Sequence, residues 1–123
     1  MQTKAIIWAG LTVENLEKEV IFFRDVIGLS LKRQGEGWAH FDAGGGALFE
    51  LTAGGLAAPK PKDFSRQPLV IGFLVDHLDQ EVAELKTRGV NFLGEIESFK
   101  SQRWVTFSDP EGNLLELKEI YKS

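Results

Sequence analysis

The sequence predicts an α+β fold made of two copies of one module, each a strand, a helix and three further strands. Three observations predict it. Residues 6–16 align with 68–78, sharing Gly10 with Gly72, Val13 with Val75 and Leu16 with Leu78. Further on, Gly46-Ala-Leu-Phe-Glu-Leu matches Gly112-Asn-Leu-Leu-Glu-Leu, which pairs Leu48 with Leu114, Glu50 with Glu116 and Leu51 with Leu117. Either match alone is what two alternating strands give by chance. In the same order and at similar offsets, they point to a duplicated module. The third observation is that alternating and helical patterns follow one another in the same sequence in both halves.

The elements follow in order. Residues 5–13 alternate as a half-buried strand. Asn15 is placed to cap a helix whose apolar positions Leu16, Val20, Phe23 and Ile27 have helical spacing, and Gly28 stops it. Strands near 29–34, 37–43 and 47–53 come next, separated by glycines. The second module has a strand at 69–75 and a helix at about 78–88, with Leu78, Val82 and Leu85 on one face and Gly89 after it. Strands near 91–97, 102–108 and 114–120 complete that module. The modules span about 1–53 and 69–123, and the proline-rich stretch 54–68, which has no periodicity, reads as a linker.

Composition excludes several function classes. A chain of 123 residues with 43% hydrophobic and 26% charged residues can bury one core. The formal net charge of −4 and the lack of any basic stripe argue against nucleic acid as a partner. No cysteine is present, which removes disulfides, thiolate metal sites and cysteine nucleophiles. No signal-peptide pattern and no bilayer-length apolar run occur, so the expectation is a cytoplasmic domain without a membrane partner.

Strand parity sorts the polar side chains onto faces. Phe41, Phe49 and Leu51 are odd-numbered, so the odd face is assigned to helix packing. The even face then carries Trp38, His40, Asp42, Leu48, Glu50 and Thr52, and the register that keeps the phenylalanines together puts His40 opposite Glu50. In the last hairpin, Val105 and Phe107 face Leu117 and Leu115 if residues 109–113 form the loop, which leaves Trp104, Thr106, Glu116 and Lys118 on the other face. Trp8 and Val70 share the sheet face of the two glutamates. Taken singly, strand tryptophans are packing residues and strand glutamates point at water. Three tryptophans grouped with a histidine and two carboxylates instead suggest a lined cavity.

Other motifs have plainer readings. The run Gly44–Gly46 joins two strands rather than opening a helix, so it is a hairpin turn and not a phosphate cradle. His77 aligns with Asn15 and reads as a helix cap or an exposed loop residue. With His40 facing a glutamate and His77 at a cap, no serine–histidine–acid arrangement can be built.

The stretches Gly10-Leu-Thr-Val-Glu-Asn-Leu-Glu and Phe22-Phe-Arg-Asp-Val-Ile-Gly-Leu resemble the opening of a vicinal-oxygen-chelate module. Val75-Asp-His-Leu-Asp with Leu85-Lys-Thr-Arg-Gly-Val resembles the second module's strand and helix. Phe107-Ser-Asp-Pro-Glu-Gly-Asn-Leu-Leu-Glu-Leu is similar to that superfamily's most recognisable ending. The superfamily is the glyoxalase, bleomycin-resistance and extradiol-dioxygenase group, and the resemblance covers nearly the whole chain. It implies paired βαβββ modules whose curved mixed sheets enclose a cavity, and a homodimer.

The resemblance also implies a ligand set. Metal-using relatives carry a histidine or glutamine in each module's first strand and a carboxylate in each last strand. By position the carboxylates fall on Glu50 and Glu116, but the other two places fall on Trp8 and Val70, which are not useful donors. A two-histidine, one-glutamate dioxygenase triad is lost for the same reason. His40 is the one substitute ligand, and a cross-strand hydrogen bond to Glu50 is its simpler role.

The expectation is therefore a binder of a small aromatic or cationic ligand, with no cofactor and no obligatory metal. Trp8, Trp38, His40, Trp104 and Thr106 would contact the ligand, and Glu50 and Glu116 would orient it or act as catalytic groups. The alternative is a divalent-metal-dependent lyase or isomerase of the glyoxalase type, preferred over a dioxygenase, with Glu50, Glu116 and His40 at the metal. A third reading is a metal-free enzyme with a glutamate as base.

Overall fold

Two β-hairpins, one in each half, set the frame, and both follow from alternation of large apolar side chains. The structure, a computed structural model, describes residues 1–58 and 61–121. The chain divides into two compact units, Met1–Ala57 and Ala58–Ser123.

In the first unit, strands β1 (Trp8–Val13), β2 (Leu31–Gly35), β3 (Trp38–Asp42) and β4 (Leu48–Ala53) form one mixed sheet in the order β1-β4-β3-β2. β3 and β4 pair antiparallel with Phe41 opposite Phe49 and His40 opposite Glu50, as parity predicts. β1 lies parallel to β4, with Gly10 opposite Glu50. Parallel pairing requires a crossover, and the intervening helix supplies it.

That helix has two parts. Asn15 caps α1 (Leu16–Ile21) by accepting from the Lys18 N–H at 3.0 Å. The chain then widens into a π-helical segment, Phe22–Ile27, whose end is closed where the Gly28 N–H reaches the Phe23 carbonyl at 3.0 Å. Gly28 has φ 92°, the left-handed conformation that a helix-ending glycine takes without strain. The sequence pattern predicts one continuous helix, and the wider turn is a departure from it. Phe23 is fully buried, with its ring 5.0 Å from that of Phe49 and 6.3 Å from that of Phe41. Val13, Val20, Ala39 and Leu51 complete this core.

The second unit repeats the plan. β5 (Ile71–Leu74), β6 (Asn91–Phe99), β7 (Gln102–Ser108) and β8 (Leu114–Ile120) form a sheet in the order β5-β8-β7-β6. β5 runs parallel to β8, with Gly72 opposite Glu116. In the β7–β8 hairpin Val105 pairs with Leu117 and Phe107 with Leu115. Helix α2 (Leu78–Thr87) buries Leu78, Val82 and Leu85. Arg103 braces the start of α2, donating to both Asp79 oxygens at 2.8 and 3.0 Å and to Glu119 at 3.0 Å. These contacts raise the Arg103 pKa, and the same guanidinium lowers that of Asp79.

The first strands are shorter than alternation suggests: β1 starts at Trp8, not residue 5, and β5 at Ile71, not residue 69. β6 runs on to Phe99, past the expected end at 97, with a register shift between Leu93 and Glu97. The stretch 54–68 has neither helix nor strand among its described residues; Pro59 and Lys60 lie outside them. Its later part is held on the second unit. Ala58 N–H donates to the Glu111 carbonyl at 2.9 Å, and Lys62 N–H to that of Gly112 at 2.8 Å. The Gln67 side chain grips both backbone groups of Leu114, at 2.7 and 2.8 Å. No helix among the described residues is long and apolar enough to cross a membrane.

Candidate functional site

The site in the first unit is built on a missing side chain. Gly10 sits across the parallel β1–β4 pair from Glu50, on the face away from the phenylalanine core. With no Cβ there, the Trp8 indole folds over the glycine; a Cβ at Gly10 would lie 2.3 Å from the ring. The indole Nε1–H then donates to Glu50 Oε1 at 2.8 Å. From β3, His40 Nε2 lies 3.2 Å from Glu50 Oε2. Both carboxylate oxygens therefore have a partner. The His40 ring lies beside that of Trp38, with centroids 4.7 Å apart and planes inclined by 50°. Glu50 and His40 keep 21% and 23% of their side chains exposed, and Trp8 is 53% exposed, so the cluster is open to a small molecule.

The second unit has the same backbone with different chemistry. Glu116 faces Gly72 on β5 and Thr106 on β7. Here the side chain lying over the glycine is Lys118, whose Cε would be 3.1 Å from an added Cβ. Its ammonium lies 3.5 Å from Glu116 Oε1 and 5.4 Å from the centroid of the Trp104 ring. The Trp104 Nε1–H donates to Glu97 Oε2 at 3.2 Å. Thr106 is buried, with 8% exposure.

The predicted residues thus fall into two groups. Trp8, Trp38, His40 and Glu50 meet on the first sheet, while Trp104, Thr106 and Glu116 share a face of the second. Val70 lies just before β5 and is partly buried. Parity puts Lys118 on this face without assigning it a role, and Gly10 and Gly72 enter the sequence pattern only as aligned positions of the repeat. The signal was present: each glycine aligns with the other and stands two residues beyond the first-strand position of interest. What alternation does not carry is the rotamer that lays a side chain across a glycine.

The plainer motifs resolve into turns. Gly44, Gly45 and Gly46 have φ of 88°, 58° and 84°, and Asp42 accepts from the Gly44 N–H at 2.9 Å. His77 is the N-cap residue of α2 without a side-chain capping bond. Asp109 is buried and accepts from the N–H groups of Glu111 and Asn113 and from the Asn113 amide, at 2.8 to 2.9 Å, which fixes the second hairpin's loop.

A divalent metal does not fit these residues. Among the described residues, no three His, Cys, Asp or Glu side chains are grouped to hold one. Glu50 has one oxygen on an indole N–H and the other on His40, and Glu116 stands beside an ammonium. Trp8 and Val70 bring no nitrogen or oxygen donor suited to a metal.

Two strand-helix-strand-strand-strand units with parallel outer pairs define the paired-module class of α+β proteins. The chain belongs to the Glyoxalase/Bleomycin resistance protein/Dioxygenase superfamily, whose family model matches residues 5–117. Solved structures share the fold. A glyoxalase/bleomycin resistance protein/dioxygenase from Nocardioides has 17% identity and a TM-score of 0.75, covering 100% of this chain and 87% of its own. A glyoxalase/dioxygenase from Nostoc punctiforme has 19% identity and a TM-score of 0.78, covering 97% of this chain and 92% of its own. Lactoylglutathione lyase from Agrobacterium tumefaciens has 18% identity and a TM-score of 0.74, covering 97% and 96%. At such identities the likeness establishes the fold alone.

Proposed function

We propose that this chain binds a small aromatic or cationic organic molecule on the tryptophan-bearing faces of its sheets, without an obligatory metal. The observation that carries the reading is the hydrogen bond from Trp8 Nε1 to Glu50. At the position where metal-using relatives place a donor, this chain places an indole, and that indole occupies the neighbouring carboxylate. Indole faces suit flat rings and cations, and partly exposed carboxylates orient hydrogen-bond donors. Glu116, Trp104 and Thr106 provide a second surface of the same kind.

Titration separates this from the metal-dependent lyase or isomerase reading. Flat aromatic ligands are expected to change indole fluorescence saturably, with Trp8→Phe weakening the response. Zinc or nickel is expected to move Tm little, because stabilisation by a ligand requires concentrations well above its Kd. A metal-induced rise in Tm of several degrees that Glu116→Ala abolishes would overturn the proposal in favour of the metalloenzyme. Exposed Leu56, Leu69, Leu74, Phe99 and Ile120 support a homodimer, to be checked by sedimentation; a monomer at micromolar concentration would count against it.

A further inference from the structure

The two sheets carry a tryptophan at the same register, but only one of the two indole N–H groups meets an acceptor. Trp38 pairs with Thr52 and Trp104 with Lys118, so the rings hold equivalent places. On the other side, toward the edge strand, the partner of Trp104 is Glu97 and that of Trp38 is Gly35. Glu97 accepts from the Trp104 Nε1–H at 3.2 Å. Gly35 has no side chain to offer, and the nitrogen edge of the Trp38 indole lies over it, with Nε1 2.6 Å from where a Cβ would stand. No acceptor among the described residues meets that N–H. Arg33 pairs with His40 and so shares this face, two residues before Gly35 on the edge strand β2. It is exposed, and neither Glu36 in the adjoining turn nor any other described residue forms an ion pair with its guanidinium.

We propose that this corner of the first sheet binds the carboxylate of an aromatic acid, with the Arg33 guanidinium forked onto it and the Trp38 N–H as a third donor. The proposal rests on the reading of the chain as an organic-ligand binder and narrows the ligand to an aromatic anion. The ligand supplies here the carboxylate that Glu97 supplies to Trp104 in the second unit. A carboxylate has about four acceptor sites, so two guanidinium N–H groups and one indole N–H fit on it together. The ring of the ligand then extends inward across the sheet, over His40 toward Trp8. Glu50 opposes an anion only weakly. It lies on β4, two strand spacings from Arg33, roughly 9–10 Å away, and that is about one Debye length at physiological salt. Asp42 is further along β3 from Trp38 and accepts from the Gly44 N–H. The guanidinium touches the anion directly, so contact attraction outweighs the screened repulsion.

Calorimetry with 2-naphthoate and its neutral counterpart 2-naphthamide tests this on the intact chain at pH 7. The two probes share one ring system and differ in charge. Naphthoate is expected to bind about five- to tenfold more tightly, the size of a partly exposed charge-assisted contact. Arg33→Gln is expected to abolish that preference while leaving the affinity for naphthamide unchanged, which also reports that the variant is folded. Trp38→Phe keeps a ring and removes the donor, and is expected to reduce the preference by about half or more. The wild-type comparison needs no variant, so a misfolded substitution cannot obscure it. Equal affinity for the two probes overturns the anionic class while leaving aromatic binding intact. A preference that survives Arg33→Gln overturns the site. Failure of both probes to bind defeats the organic-binder reading beneath it.

Discussion

The β3–β4 and β7–β8 hairpins are the same object twice on one face and two different objects on the other. Each first strand holds a tryptophan, Trp38 or Trp104, and three residues on a fully buried phenylalanine, Phe41 or Phe107. Each loop has five residues between the last paired positions, Asp42 with Leu48 and Ser108 with Leu114. Yet one loop is a run of glycines and the other is tied by a buried aspartate. One glutamate meets an indole and an imidazole; the other meets an ammonium and a threonine. The buried face is constrained by packing, where a lost methylene is felt, so it keeps its pattern. The open face contributes little to stability, so its chemistry is free to diverge between the units.

The comparison can be broken most severely at the core. Phe41→Ala and Phe107→Ala are each expected to cost about 3–5 kcal/mol in urea unfolding. If one costs under about 1 kcal/mol, the two hairpins are not equivalent supports. Next come the loops. Asp109→Ala strands two buried backbone donors and should cost about 2–3 kcal/mol. Gly45→Ala, at φ 58°, should cost about 1–2 kcal/mol through backbone strain. A costlier Gly45→Ala would make the glycine loop the more demanding of the two.

The open faces give a sharper contrast. Gly10→Ala puts a methyl group into the Trp8 ring, so the indole must leave Glu50; its N–H resonance in a two-dimensional NMR spectrum should lose its hydrogen-bonded shift. Gly72→Ala meets only the flexible end of Lys118 and should change stability by no more than about 0.5 kcal/mol. An unchanged Trp8 resonance in Gly10→Ala would mean that the glycine does not position the ring.

The smallest effect belongs to Arg103, which braces α2 in the second unit. Asp79 is solvent-exposed, so Arg103→Ala should lower Tm only slightly. The sign with pH is definite. Because Arg103 lowers the Asp79 pKa, the stabilisation is present above the ordinary carboxylate range and lost as pH falls through the lowered value. The Tm gap between wild type and Arg103→Ala should therefore close below about pH 4. A gap that widens there would contradict the assignment.

What the sequence determined by itself was whatever repeats over short distances. Alternation of Phe41, Phe49, Val105 and Phe107 was enough to set both hairpin registers and to put His40 opposite Glu50, because side chains in a strand change face at every residue and a slip would bury the polar set. Helix ends at Gly28 and Gly89 were legible for the same local reason. Tertiary structure alone decided the rest. The indole of Trp8 reaches a carboxylate 42 residues away only because β1 lies beside β4 and Gly10 leaves room. The π-helical turn that accompanies the burial of Phe23 lies in a stretch whose spacing reads as an ordinary helix. The stretch 58–68 has no periodicity to read, yet Gln67 holds Leu114 through its amide. A rotamer, a long-range pairing and a side-chain grip on a distant backbone depend on which surfaces meet in three dimensions, and spacing along the chain does not encode that.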